Sequence, residues 1–500
     1  MSHLVHELNF VPCFAQGLKK KTLLLKTCQS VTAISLAVLV GCTSFESREH
    51  PDLQTMGVPD QFQLSSGQGN TINPVVADSV ESPILANTQQ TRWVKIFNDS
   101  GLTVLVERVL ANNSGLAAEA AKVKSAGAGQ IQADAALYPT LDLTGSISQS
   151  QTNDVQSNNS SVSLKAGFEL DIWGKLSAKE QEASLDYAAA RADFSESTLA
   201  LTAETAKAWY NLIAQRQLLN IYQRREDTLA NALTVIKQGY GNGLKEVEDL
   251  YSAQDNLQSE QDNIAAQQQV VSEQVRALQV LLGRYPDGRL LHETELELPA
   301  LPPLASKVMP SELISRSPSL QSEWLSLLAA DAALAAAHRD RFPSLSLSAS
   351  VDQNIDWNLM ASLTQPLFNA GKLAAAEDQA EANAQQLEKR YLQSLFSAFA
   401  DVENALMQET TLQHRRNISE NNLQIAQQTT TLTLSQYKLG LVELDSLLMV
   451  QKNMLDAEAQ VLNVHLQQIE NRIELYRLMG GNAETPSVAS KAETKISETL

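Results

Sequence analysis

The chain has 500 residues, 43% of them apolar, and a formal charge of −19 at neutral pH. It is long enough for several domains or one very extended one, and the apolar fraction argues against disorder of the chain as a whole. Four lysines against one glutamate in the first 41 residues leave the remainder more acidic still, so no nucleic-acid partner is expected.

Residues 1–41 read as a secretory signal. A basic stretch from Lys19 to Lys26 precedes an apolar stretch from Val31 to Val40 that is too short to remain as a membrane helix. The run Leu39-Val40-Gly41-Cys42 resembles a bacterial lipobox, which would make Cys42 the acylated first residue of the mature chain. Thr43 follows where an inner-membrane retention signal would resemble Asp, which favours transfer to the outer membrane. Cys13 and Cys28 both fall in the leader, so the exported chain holds no pair to oxidise. Residues 42–92, rich in Ser, Gln, Asn and Pro, suggest an extended tether. No later stretch reaches about 18 consecutive apolar residues, so any membrane crossing falls to strands.

From Trp93 the apolar spacing turns helical, and an internal repeat begins. Tyr138-Pro139-Thr140-Leu141 recurs as Phe342-Pro343-Ser344-Leu345, and Trp173-Gly174-Lys175-Leu176 recurs as Ala370-Gly371-Lys372-Leu373. Gly243 and Leu282-Gly283 return as Gly440 and Met479-Gly480, at a constant offset of 197 residues from Gly174 onward. The first repeat spans 93–283 and the second 311–481, joined by a proline-marked linker, 284–310, and followed by a disordered tail, 482–500.

Each repeat opens with two alternating stretches. Leu141, Leu143 and Ile147, then Val162 to Ile172, are apolar at every second residue in the first. Leu345 to Val351 and Ile355 to Leu363 follow the same rule in the second, with only Gln353 and Asn354 between them. Such strands suit a membrane barrel or a half-buried soluble sheet equally. The helices that follow decide the matter. No Gly or Pro interrupts Gly174 to Gly239, Gly243 to Gly283, or their second-half equivalents, which predicts helices on the order of 95 Å and 60 Å long, too long for a compact globule. Leu250, Leu257, Ile264, Val271 and Leu278 recur every seven residues, as do Ile418, Ile425, Leu432 and Leu439, so paired left-handed supercoils are expected.

Four strands cannot close a barrel, and open edges are not tolerated in lipid. Three chains supply twelve strands, an even number in the usual range. The expected fold class is therefore an α+β membrane protein: a long antiparallel α-helical coiled-coil barrel plus a 12-stranded transmembrane β-barrel assembled as a homotrimer, four strands per chain.

Leu170-Asp171-Ile172-Trp173-Gly174-Lys175-Leu176, Pro366-Leu367-Phe368-Asn369-Ala370-Gly371-Lys372-Leu373, Arg341 to Leu347 and Leu475 to Gly481 together resemble the signature segments of the TolC-like outer-membrane factors, in the NodT-like efflux lipoprotein subgroup, across about residues 93–481. The resemblance implies a homotrimeric conduit in the outer membrane of a Gram-negative cell, anchored in its lipids and reaching into the periplasm. It would pass small molecules outward from a periplasmic adaptor and an inner-membrane transporter of the RND or ABC type. Secretion of exported proteins and a periplasmic scaffold without a pore are the alternatives. Gly174 and Gly371 stand at strand-to-helix corners. Tyr240, Gly241, Gly243, Tyr437 and Gly440 make the helix-to-helix turns which, in the family, form the periplasmic tips and meet the adaptor. Glu246, Asp249, Glu443 and Asp445 follow these turns as candidate pore-entrance carboxylates. Where the family places pore carboxylates six and nine residues after the second-half Gly, this chain has Ser446 and Met449, so that gate is not carried over. Ser317-Pro318-Ser319 replaces the family's Arg-Pro-Asp, which leaves the packing there open. No catalytic motif, cofactor motif or metal-ligating cluster appears, and His292, His338, His414 and His465 read as surface or packing residues. The chain is expected to be no enzyme.

Overall fold

The computed structural model describes residues 48–53, 55–56, 91–152, 155–289, 297–304 and 310–481. The chain divides after His50, and every element below belongs to the unit Pro51–Leu500. Cys42, the leader, nearly all of the tether and the tail after Gly481 lie outside the described residues, as does His292.

A 3₁₀ helix at Arg92–Phe97 leads into α1 (Ser100–Asn112), α2 (Ser114–Ala135), the hairpin β1 (Thr140–Thr152) and β2 (Val155–Leu170), then α3 (Lys175–Gly241) and α4 (Val247–Leu281). The second half repeats the order with α5 (Pro310–Arg316), α6 (Pro318–Arg339), β3 (Ser344–Asp352), β4 (Trp357–Thr364), α7 (Lys372–Lys438) and α8 (Leu444–Leu478). Both first long helices have 67 residues and both second ones 35, about 100 Å and 52 Å at 1.5 Å per residue. Gly239 and Gly241 do not break α3, which runs through both.

All four long helices end in the same way. The amide of Leu244 donates to the Gly239 carbonyl and that of Gly243 to Tyr240. The same two bonds recur at Arg284 and Gly283, at Leu441 and Gly440, and at Gly481 and Gly480. This is the Schellman arrangement, whose C′ residue must be left-handed, and Gly243, Gly283, Gly440 and Gly480 have φ of 71°, 66°, 71° and 71°. Gly241, by contrast, is the last helical residue of α3, so only Gly243 makes the reversal expected of both.

The core lies where the helix joints meet. Trp93 and Phe97 pack on Tyr476 and Tyr210, at ring-centroid distances of 5.9 and 5.4 Å, within a buried cluster that also holds Tyr391, Leu395 and Ile473. Asn113 accepts from the Leu116 amide, capping α2, and donates to the Leu281 carbonyl. Ser317 accepts from the Leu320 amide, capping α6, and Pro318 begins that helix. The departure at Ser317-Pro318-Ser319 therefore forms an ordinary helix start. Beside these joints, a Cβ on Gly283 would lie 2.6 Å from the Asn112 carbonyl oxygen, and one on Gly480 would lie 2.2 Å from that of Arg316.

Two expectations change. Between β3 and β4 the amide of Asp352 donates to the Asp356 carbonyl, so three residues close the hairpin rather than two, with Ile355 left-handed at φ 67°. A three-residue hairpin loop needs such a position, and a β-branched residue gives no sign of it. The heptad on α4 does meet α3, with Ile264 and Leu278 buried. The heptad Ile418, Ile425, Leu432, Leu439 does not meet α8, since all four are exposed. The residues of α7 that contact α8 lie elsewhere: Glu409 binds Arg472, the Ala405 carbonyl accepts from Asn471, and Thr430 donates to the Val450 carbonyl.

Gly480 and Gly440 share a φ but not a neighbourhood, as nothing lies within 4 Å of a Cβ built on Gly440. Gly440→Ala should cost about 1 kcal/mol of left-handed strain, while Gly480→Ala should cost on the order of 3 kcal/mol by adding a backbone clash. Denaturant melts of the two variants check the difference; equal losses would show that the Arg316 joint yields freely.

Candidate functional site

The ladder is antiparallel throughout, in the order β1-β2-β3-β4, and its register stacks like on like. Leu143 faces Leu164, Leu164 faces Val351 and Val351 faces Trp357; further along, Phe168 faces Leu347, which faces Ala361. Thr144 to Ser163, Lys165 to Ser350 and Ser346 to Ser362 make the opposite side polar, with Met360 the exception. Alternation alone leaves open what covers the apolar side. Exposure decides: Leu143 is 75% and Trp357 78% accessible, and Leu141, Ile147, Leu359 and Leu363 are exposed as well. From Val162 to Leu170 the apolar side runs eight residue steps, on the order of 26 Å along the strand, or about 20 Å once tilted as in a membrane barrel. The outer strands β1 and β4 each pair on one side only. No described helix is long and apolar enough to cross a membrane.

The two strand-to-helix corners have the same backbone and different surroundings. Gly174 and Gly371 are both left-handed N-caps, at φ 74° and 84°. At the first, the Trp173 ring stacks on Phe342 at 5.3 Å, its Nε1 donates to the Pro343 carbonyl at 2.7 Å, and Arg339 donates to the Gly174 carbonyl at 2.8 Å. Lys175 reaches Glu169 at 2.6 Å and Asp340 at 3.6 Å. Asp171 accepts from the amides of Leu176 and Ser177 and from the Ser177 hydroxyl, satisfying donors that open α3. Partial burial pushes its carboxyl upward, but the bonds from Ser177 and Leu176, with the Arg339 charge, hold it below the ordinary aspartate value. At the second corner Leu367 and Phe368 are exposed, and nothing lies within 4 Å of a Cβ on Gly371.

At the helix tips, Tyr240 and Leu244 in the first repeat, and Leu439 and Leu441 in the second, are exposed, while Tyr437 is half-buried. Glu246 and Asp249 form a capping box at the start of α4, where Asp249 accepts from the Glu246 amide at 3.2 Å and lies 3.6 Å from Lys245. Those two candidate pore carboxylates thus have a structural role of their own. Glu443 is the N-cap of α8 without a side-chain bond, and Asp445 sits in the first turn.

Elsewhere, His338 contacts Glu377 at 2.6 Å, and that bond, against the upward push of partial burial and with help from Arg341, holds the Glu377 carboxyl below its ordinary range. The His465 ring contacts the Pro299 carbonyl. The buried pair Arg472–Glu409 has no counterpart in the sequence reading; Arg472 also donates to the Pro302 carbonyl, which ties the linker to α8. Only a cation shortly after an amide on an apolar helix face, Arg472 after Gln468-Ile469, could have hinted at it.

The family model described as outer membrane efflux protein matches residues 105–284 and 309–481. The pyoverdine export outer membrane protein OpmQ of Pseudomonas aeruginosa is 26% identical over 413 residues, covering 78% of this chain and 87% of OpmQ. The cation efflux system protein CusC of Escherichia coli K12 is 27% identical over 465 residues, covering 89% and 97%. A crystal structure of CusC, described in terms of transmembrane channel formation, superposes with a TM-score of 0.71 at 25% identity over 88% of this chain and 100% of that one.

Because Asp171 has a depressed folded value, its stabilising share is complete above the unfolded aspartate value and is lost as pH falls through the lower folded one, that is, below about pH 4. Asp171→Ala should lower stability at neutral pH by about 1 to 2 kcal/mol and flatten the acid limb of the stability profile. Thermal melts from about pH 2 to about pH 7, which bracket the titration of carboxylates, check this. An acid limb as steep as that of the parent would remove Asp171 from the account.

Proposed function

Since the chain belongs to the outer membrane efflux protein family, we propose that it is the outer-membrane channel of a tripartite efflux system, a passive conduit built from three copies. One observation carries this reading: an apolar sheet side left exposed, with both strand edges open, leading into helices about 100 Å long. An unpaired edge in lipid costs several kcal/mol for each unsatisfied group, so copies must pair β4 with β1 until the ring closes. Three copies make twelve strands, apolar side to lipid and polar side to water. The long helices continue the wall into the periplasm.

The remaining parts follow from that placement. The leader would be cleaved before Cys42, whose lipid would hold the chain in the outer membrane, with residues 43–92 as tether. The tips around Gly243 and Gly440 would meet a periplasmic adaptor, itself joined to an RND or ABC transporter. Rings of Glu246, Asp249, Glu443 and Asp445 would favour cations at the narrow end. Nothing in the conduit requires bond chemistry; the named relatives export pyoverdine or cations, and selection among cargoes would rest with the inner-membrane pump.

Leu359 is on the apolar side, and Ser348, on the neighbouring strand, is on the polar side. Leu359→Arg should destabilise membrane-assembled protein by about 2 to 4 kcal/mol, whereas Ser348→Arg should cost little. Denaturant unfolding in lipid vesicles, together with drug-efflux assays in cells, reads both. Equal tolerance of the two arginines would mean that the apolar side does not face lipid.

A further inference from the structure

Between α1, α3 and the end of α4 lies a pocket of about 280 Å³ that the proposed conduit leaves without a role. Its floor is apolar: Leu105, Leu212, Val275, Leu278 and Leu282 are all buried, while Val104 stands 46% exposed at the mouth. One wall is the ring of Trp209. Gly101 lets the backbone of α1 approach that ring, since a Cβ there would lie 3.2 Å from it. Asp99 holds the ring in place by accepting from Trp209 Nε1 at 2.9 Å.

The rim is cationic. Arg108 follows Val104 by one turn of α1, and Arg216 follows Leu212 by one turn of α3. Arg284 joins them because the left-handed Gly283 turns the chain back at the end of α4, where the Arg284 amide donates to the Gln279 carbonyl. None of these three side chains has a hydrogen bond or ion pair among the described residues, whereas Arg225, Arg472 and Arg477 are all paired. No described carboxylate lines the pocket, and both oxygens of nearby Asp99 are committed, one to the Leu102 amide and one to Trp209. Three guanidiniums that stay charged at any ordinary pH thus surround an apolar space in a chain whose net charge is −19.

We propose that this pocket binds a free single-chain amphiphile with an anionic head, of the class of medium-chain carboxylates. The chain lies on the leucines of the floor and against Trp209, and Arg108, Arg216 and Arg284 hold the head through charge-assisted, bidentate hydrogen bonds. An apolar cavity with a few convergent polar groups is the usual form of a small-molecule site, and this one lies just under the lower end of their usual size, about 300 Å³. It therefore suits one short chain better than a fused-ring compound. Trp209 is about 50 Å along α3 from the start of that helix at the sheet, too far for lipids gathered around the sheet, so the ligand arrives from water.

The full chain, held in nanodiscs of zwitterionic lipid, should bind dansyl-labelled undecanoic acid saturably and above the level of empty nanodiscs. Decanoate should displace the probe at least about tenfold better than decanol, the equivalent of one charge-assisted hydrogen bond or more. Replacing the three arginines together, Arg108→Gln with Arg216→Gln and Arg284→Gln, should bring decanoate down to the level of decanol. Val104→Trp, at the exposed mouth, should block the probe while leaving the thermal melt unchanged. Probe binding no greater than that of empty nanodiscs, or equal displacement by decanoate and decanol in the parent chain, would overturn the proposal, whether or not the variants fold. So would unchanged binding in a folded Val104→Trp chain, which would place the probe elsewhere. The conduit reading rests on the sheet and stands or falls separately.

Discussion

A β-sheet with both edges unpaired and one whole side apolar has no stable resting place as a single copy. In water its leucines and Trp357 remain exposed; in lipid its edge amides and carbonyls lack partners. Every other large feature of the molecule is consistent with resolving that conflict by assembly. The four strands are joined in chain order, so the two open edges belong to the two ends of the same sheet and can pair head to tail. At the corners that turn strands into helices, both repeats use the same left-handed cap, Gly174 in the first and Gly371 in the second.

The helices inherit their direction from those corners and their length from the absence of anything that would stop them. What stops them is specific: a left-handed glycine at C′ in all four cases. Two of those glycines, Gly243 and Gly440, sit in open space at the tips, and the other two receive a carbonyl from a helix joint. One motif therefore makes turns at one end of the long helices and tight packing at the other. The Trp93, Tyr210 and Tyr476 cluster lies near that packed end, which anchors the N-terminal 3₁₀ helix and the linker to the same point.

Much of this was legible because a repeat doubles each signal. The offset of 197 from Gly174 to Gly371 anticipates the matching lengths of α3 with α7 and α4 with α8, and period-two alternation located all four strands. What escaped was set by tertiary contact or by local strain. Ile355 in a left-handed position carries no turn signal in its side chain. The stripe from Ile418 to Leu439 has the right period for a coiled coil, but a period does not say which helix is the partner. The roles of Gly283 and Gly480 as sites of close approach depend on Asn112 and Arg316, far away in sequence. Glu246 and Asp249 read as pore residues, although their three-residue spacing at a helix start is also the spacing of a capping box.

The central claim is that this sheet, closed by further copies, encloses a continuous aqueous path. Current through a planar lipid bilayer, recorded while purified protein is added to one side, tests it most directly. Discrete, stable conductance steps that fail to appear with Leu359→Arg are the expected result. Protein that inserts as trimers yet passes no current at any voltage or pH, or steps that survive unchanged in Leu359→Arg, would contradict it.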